Sequence, residues 1–344
     1  METQSEKQGQ KHDDLELGSL HGSILATSIF ALLLVFYLCR KGREGKINPE
    51  RLGPHLSSTC KSLNCLRCHG EDTIRSKLMQ RCREYVMEVN GVTESVDDYL
   101  SQHYPRVVGA IRSIDDKHDL LRRVYRESGD EMELSEFQPH IWTLPGLKRE
   151  PVWKTSECDK LQSIAACFET KSAFEAIQSE YELVSQQTQG WKINSIPSGE
   201  WRVFHFFNQG SRVEANCAQC PQTTRLLESI SSFMRDSAFG NAMFSVLKPG
   251  SHIEIHTGPC NFRLRCHLPL CAPDSYKIRV GTIITPWHVS KLMVFDDSHV
   301  HTVWHDGKES NGEQTSRVLL IFDVWHPEVN QQEQDILNFI FSSQ

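Results

Sequence analysis

The sequence predicts a mainly β protein of the sandwich, jelly-roll or barrel kind, with flanking helices and one preceding membrane span. Three observations predict it. From Gly199 onward, eight short runs rich in β-branched and aromatic residues follow one another with no helical pattern between them. Ahead of them, apolar residues recur at helical spacing. Near the N-terminus one uncharged apolar stretch stands alone.

The apolar stretch "HGSILATSIFALLLVFYLCRKGR" runs from His21 to Arg43, and its uncharged core is Gly22 to Cys39. That is near the lower end of the roughly 17–25 residues that a spanning helix needs. The tail before it is acid-rich (Glu2, Glu6, Asp13, Asp14, Glu16) and the basic cluster follows it. A cleaved signal has the opposite polarity, so the stretch predicts a single-pass membrane anchor. It divides a polar tail at 1–21 and a transmembrane helix at 22–40 from a Cys-containing helical stalk at 41–135. Arg40, Lys41, Arg43, Lys46 and Arg51 follow the span, and only Lys7 and Lys11 precede it. That asymmetry favours a cytosolic bulk, as does the absence of any Asn-x-Ser/Thr sequon. Twelve cysteines favour an oxidising compartment instead, so both orientations stay open.

The helical lead-in is predicted from Glu71 to about Glu127, and a further helix over 155–187. Prolines and glycines in "FQPHIWTLPGLKREPVW" separate the two, which puts the start of the second domain near 136. That domain extends to 330, and 331–344 form a C-terminal helix or tail. The predicted strands are "EWRVFHFF", "AMFSVLK", "HIEIH", "FRLRCHLPL", "YKIRV", "KLMVF", "HVHTVWH" and "RVLLIFDVW". A charged content of 24% and a hydrophobic content of 39% are ordinary for a globular chain. The net charge of -7 argues against nucleic acid as a partner.

Chemistry concentrates in three of the strands. In "FRLRCHL" the period of two puts Arg263, Arg265 and His267 on one face and Phe262, Leu264, Cys266 and Leu268 on the other. Three cationic groups facing inward need anions, which a cavity for a carboxylate ligand would supply; facing outward, they need only solvent and surface ion pairs. His256 and His301 fall on separated strands that a small barrel could bring together around a metal, although a lone His pair equally suits a packed core. Arg317 opens a strongly apolar strand, either aimed into a cavity, where it would clasp a carboxylate, or placed at a solvated edge. Taken together, His, His and Arg on successive strands are the set that a non-haem iron enzyme using 2-oxoglutarate requires.

"SVLKPGSHIEIHTGPCNFRLRCHLPL", "LMVFDDSHVHTVWHD" and "RVLLIFDVWHPE" resemble the aspartyl/asparaginyl β-hydroxylase family over roughly residues 136 to 330. The anchor, "CLRCH" and "IPSGEW" are similar to its short membrane-anchored branch, the aspartate β-hydroxylase domain-containing proteins. The resemblance implies a double-stranded β-helix (jelly-roll/cupin-like) fold. It also implies Fe(II) held by His256 and His301, and 2-oxoglutarate held by Arg317 with Ser245, Arg265 and His267. Gly258 stands where most such oxygenases carry a carboxylate ligand, and the family pattern has Gly there. The implied activity is O2-dependent hydroxylation of a protein side chain of acidic or amide type. The implied location is a membrane, that of the endoplasmic reticulum, with the side holding the domain left open.

Ile196 and Met243 depart from the family pattern, which has basic, substrate-gripping residues at these places. They raise the alternative of a non-catalytic membrane protein that keeps the fold for binding or sensing. "WHDGKESNGEQTSR" reads as a loop insertion between His301 and Arg317. "CLRC" at 65–68 and "CAQC" at 217–220 have spacing suited to zinc thiolates or to disulfides.

Overall fold

The computed structural model describes residues 74–116, 142–306 and 315–342. The predicted span at 22–40, Cys65 and Cys68 lie outside the described residues, as does most of the predicted insertion. Among the described residues no helix is long and apolar enough to cross a membrane.

Twelve strands are described. They are β1 (Val152–Trp153), β2 (Trp191–Asn194), β3 (Trp201–Asn208), β4 (Ser211–Arg212), β5 (Ala242–Leu247), β6 (His252–His256), β7 (Arg263–Cys271), β8 (Tyr276–Val280), β9 (Ile283–Thr285), β10 (Met293–Phe295), β11 (His301–His305) and β12 (Arg317–Trp325). One sheet has the order β1-β10-β7-β12-β5-β3-β2, with β4 on β3; the other has the order β6-β11-β8-β9. From β5 to β12 the chain passes back and forth between them, so β5, β7, β10 and β12 face β6, β8, β9 and β11. This is a double-stranded β-helix built of antiparallel strands. All eight strands predicted from sequence are present; β1, β2, β4 and β9 are short additions at the edges.

Parity along the strands divides the larger sheet into two faces. Phe204, Phe206, Phe244, Val246, Leu264, Cys266, Leu268, Leu320 and Phe322 point outward into one apolar core. The helices α4 (Asp159–Phe168), α5 (Lys171–Ser185), α6 (Glu214–Gln219) and α7 (Pro221–Glu228), which follow three earlier ones, cover that face. Phe168 of α4 stacks on Phe322 of β12 with ring centroids 4.9 Å apart. Trp201, Val203, Met243, Leu319 and Ile321 point the other way, toward the smaller sheet. The single helix predicted over 155–187 is broken in two, because Thr170 caps a new helix by accepting from the Ala173 N–H at 3.2 Å.

The three earlier helices are α1 (Ile74–Glu88), α2 (Val96–His103) and α3 (Pro105–Arg112). They pack with α8 (Gln331–Phe341), Trp142, Phe239, Phe262 and Trp325 into a second apolar core. Arg81 of α1 donates to the Phe339 carbonyl at 2.6 Å, and Arg106 of α3 pairs with Glu333 of α8. The boundary drawn near 136 from sequence is therefore corrected for residues 74–116. These helices are not a stalk apart from the β domain; they share its core, along with the C-terminal helix.

Candidate active site

Between the two sheets lies a cavity with about 440 Å³ of empty space, its open mouth included. All six site residues predicted from sequence line it: Ser245, His256, Arg265, His267, His301 and Arg317. Each arrives there by strand parity. Ser245 lies two residues from Met243 on β5, and Arg317 shares its face with Leu319 and Ile321 on β12.

The two histidines do not meet across the barrel. They are directly opposed neighbours on adjacent strands, His256 of β6 against His301 of β11. Their ring centroids are 4.1 Å apart at an interplanar angle of 51°. Nδ1–H of His256 donates to the Glu254 carbonyl at 2.7 Å, and Nδ1–H of His301 donates to the His299 carbonyl at 2.9 Å. A carbonyl only accepts, so both rings carry their proton on Nδ1 and a lone pair on Nε2. Burial lowers the pKa of both rings, and of His301 well below the ordinary value, which keeps them neutral. Neutral imidazoles locked in one tautomer by a carbonyl are suited to a metal. Among the described residues no cluster of three or more His, Cys, Asp or Glu side chains could hold an ion, so a metal here would rest on this pair alone.

Gly258 faces away from any third-ligand role for a structural reason. A Cβ at this position would overlap the carboxylate of Asp297. The Gly258 N–H also donates to the Asp297 carbonyl at 2.5 Å. The space that a ligating side chain at 258 would start from is filled by Asp297.

The anions that Arg263 and Arg265 need on this inward face are supplied within the protein. Asp297 and Asp323, both fully buried, supply the charge. Arg263 pairs with Asp297, and it reaches Asp323 at 3.6 Å. Arg265 holds Asp323 through two nitrogens at 2.9 and 3.1 Å and approaches Asp297 at 3.5 Å. Burial would lower the Arg263 pKa, but the two carboxylates outweigh it and raise it. Arg263 does not line the cavity; Arg265 does. The sequence signal for Asp323 was present, since an Asp inside "LLIFDVW" has to find a buried partner.

Arg317 differs. It is 1% exposed, and among the described residues no carboxylate pairs with it. One Nη2–H donates to the Ser245 hydroxyl at 2.9 Å, the guanidinium lies 5.2 Å above the Trp287 ring, and Nε is buried with no partner. Burial without an anion pulls its pKa down to about 9. Ser245 also accepts from the Trp201 indole at 3.0 Å, which leaves its own O–H to donate. Trp287 Nε1–H donates to His267 Nδ1 at 3.1 Å, so His267 carries its proton on Nε2. Burial first, then Arg317, hold His267 neutral, with a pKa well below the ordinary value. A guanidinium, a hydroxyl and an imidazole N–H thus line one cavity as donors, a set that suits a carboxylate.

His299 and His305 do not line the cavity: His299 sits near Asp296, and His305 packs on Tyr276. Met243 lines it, and Ile196 packs against the same core. Cys217 and Cys220 are buried free thiols whose Sγ–H groups meet the carbonyls of Phe206 and Glu180. Burial raises the Cys220 pKa to about 12, so it is a packed thiol, not a thiolate.

A His pair and a buried Arg that no carboxylate of the described residues pairs with thus lie between the sheets of a double-stranded β-helix. A family model described as aspartyl/asparaginyl beta-hydroxylase matches residues 171–327. Aspartate beta-hydroxylase domain-containing protein 2 of Xenopus tropicalis is 32% identical over 336 residues, covering 93% of this chain and 84% of that protein. The Homo sapiens protein of the same name is 33% identical, covering 82% of this chain and 70% of that protein. The aspartyl/asparaginyl beta-hydroxylase of Mus musculus is 32% identical over 205 residues, covering 58% of this chain and 26% of that protein. The chain belongs to the aspartyl/asparaginyl β-hydroxylase family.

Proposed function

We propose that this chain is a membrane-anchored Fe(II)- and 2-oxoglutarate-dependent dioxygenase that hydroxylates a protein side chain. The observation that carries the reading is Arg317. A buried guanidinium without a carboxylate is costly, and the mutual ion pairs of Arg263 and Arg265 show what this barrel does with a cation that is not reserved. The distal carboxylate of 2-oxoglutarate fits Arg317 together with the Ser245 hydroxyl and the His267 Nε2–H. The two neutral, tautomer-locked rings of His256 and His301 fit Fe(II), which with so few protein ligands would have sites open for the co-substrate and O2. When bound, the iron supplies the activation of O2.

The chain's own residues then have defined tasks. His256 and His301 hold the metal, and the carbonyls of Glu254 and His299 fix their rings. Arg317, Ser245 and His267 orient the co-substrate. The Arg265–Asp323 pair holds the wall beside them rigid and, by resemblance, contributes to the co-substrate site. In the overall reaction 2-oxoglutarate loses CO2 and becomes succinate, taking one oxygen atom of O2. The other atom enters a substrate C–H bond, and O2 receives two electrons from each reactant. Family membership supports a protein substrate, and the family's own type is an aspartyl or asparaginyl residue. The apolar stretch at 22–40 supports a single-pass anchor, and the resemblance supports the endoplasmic reticulum membrane.

The test is iron-dependent conversion of 2-oxoglutarate to succinate by the purified chain. Wild type should turn over, and His301→Ala should lose turnover by at least about a hundredfold. Equal turnover by the variant would remove the reading. A chain that folds but neither binds nor consumes 2-oxoglutarate would favour the second reading, a binding or sensing module, which the apolar Ile196 and Met243 support.

A further inference from the structure

We infer that Trp287, which does not itself line the cavity, is a positioning residue for the co-substrate: its indole N–H holds His267 in the one tautomer that offers a hydrogen to the carboxylate. The inference rests on the dioxygenase reading and deepens it. The three donors of the cavity are not alike. A guanidinium carries only N–H groups, and a hydroxyl turns its hydrogen toward whatever accepts it. A neutral imidazole, which burial makes of His267, has one N–H and one lone pair, and the tautomer decides which of them faces the cavity. With the proton on Nδ1, Nε2 would present a lone pair to a carboxylate and repel it. An indole N–H only donates, so Trp287, at 3.1 Å from Nδ1, excludes that form.

The surroundings hold both rings in place. Trp287 follows Pro286 in the connection from β9 to β10 and is buried. Farther along that connection the Ser290 N–H donates at 3.0 Å to the carbonyl of Pro269, which shares β7 with His267. The Leu292 N–H and the Lys291 ammonium each donate to the Glu169 carboxylate at 2.9 Å, just past the end of α4. The indole is thus tied to the strand that carries its partner. Phe295 meets the His267 ring at 82°, with centroids 4.9 Å apart, which opposes turning of the imidazole. The Trp287 ring also lies 5.2 Å beneath the Arg317 guanidinium, so one indole serves two of the three donors.

Trp287→Phe keeps an aromatic ring beneath Arg317 and removes the N–H. The test uses the full chain with Mn(II) and without O2, and reads 2-oxoglutarate binding by calorimetry. The variant should bind 2-oxoglutarate about five- to thirtyfold more weakly than wild type, with its affinity for Mn(II) alone unchanged. His267→Phe should weaken binding too. Adding Trp287→Phe to that variant should cost less than about twofold more, since the N–H acts only through His267. In air with Fe(II), Trp287→Phe should raise KM for 2-oxoglutarate in proportion and leave kcat near that of wild type. A residue that only supported the fold would lower kcat and leave KM unchanged. Nitrogen NMR of the metal-free wild type, with His267→Phe assigning the signal, should place the ring proton of His267 on Nε2; this readout needs no variant at 287 to fold. A proton found on Nδ1 would overturn the inference. So would Trp287→Phe binding 2-oxoglutarate as tightly as wild type, or losses that simply add in the double variant. A wild-type chain that binds no 2-oxoglutarate would instead remove the dioxygenase reading, and the inference with it.

Discussion

Arg265 and Arg317 are both buried arginines on inward-facing positions of neighbouring strands, yet their surroundings assign them opposite roles. Arg265 is locked to Asp323, so removing the carboxylate strands a buried charge. Asp323→Ala should cost about 3–5 kcal/mol in urea unfolding. A double change to Met at 265 and Leu at 323 should recover most of that loss, because two charges of opposite sign leave together. Arg317 has no such partner among the described residues, and burial pulls its pKa down to about 9, so the folded apo chain bears its charge at a cost. Arg317→Met should therefore leave the apo chain as stable as wild type, or more stable. Wild type should gain more thermal stability from Fe(II) with 2-oxoglutarate than from Fe(II) alone, and the variant should gain nothing from the added 2-oxoglutarate. Melting curves for each, apo, with Fe(II) and with both additions, check the two halves. A variant that melts well below wild type in the apo state would make Arg317 a structural residue.

At the level of the element, strand alternation did most of the positioning, and for that reason the convergence of the six candidate residues on one cavity was legible. Arg263, Arg265 and His267 share one face of β7 because the period of a strand is two, whatever the fold around it. Seven of the eight barrel strands, and β3 beside them, were readable on the same basis. What was not readable were the partners. Asp297 lies in a loop with no period, and its meeting with Arg263 depends on tertiary closure. Short edges such as β4 and β9 carry too few residues to show alternation. The break at Thr170 was hidden because the apolar spacing continues through it. Two glycines carry local consequences. Gly199, in "IPSGEW", sits at φ 80°, and a Cβ there would overlap Ser251. Gly199→Ala should lose about 1–3 kcal/mol by urea titration. Gly258→Asp, which restores the common carboxylate ligand on paper, should destabilise the fold and fail to tighten iron binding, since its Cβ collides with Asp297. Tighter Fe(II) binding by that variant, measured by anaerobic titration, would contradict this account of the missing ligand.

For the whole molecule, the two cores outside the cavity and the neutral histidines govern stability. The core shared by α1, α2, α3 and α8 means that a fragment beginning at 136 would expose Trp142, Phe262 and Trp325, and it should aggregate where the longer chain stays soluble. Size-exclusion chromatography of both decides this. Six described histidines have lowered pKa values, mainly through burial: His205 and His299, at about 4, and His256, His267, His301 and His326. Below about pH 6.5 the unfolded chain takes up protons that these folded-state rings refuse, so stability falls as pH falls. Asp296, pushed up to about 7 by burial, works the other way between its unfolded value and 7, but it is one group against six. The melting temperature should hold between pH 7 and 8 and drop steadily from pH 6.5 toward 4.5. A flat profile across that lower range would show that these rings accept protons within the fold.

The central claim is that the His256–His301 pair and Arg317 form one site for Fe(II) and 2-oxoglutarate. Anaerobic titration of the purified chain with both, followed by visible absorption, tests it most directly. A weak charge-transfer band of the chelated complex should appear in wild type and should be absent in both His301→Ala and Arg317→Met. Folded wild-type protein that shows no band at saturating Fe(II) and 2-oxoglutarate would contradict the claim and leave the barrel as a binding module.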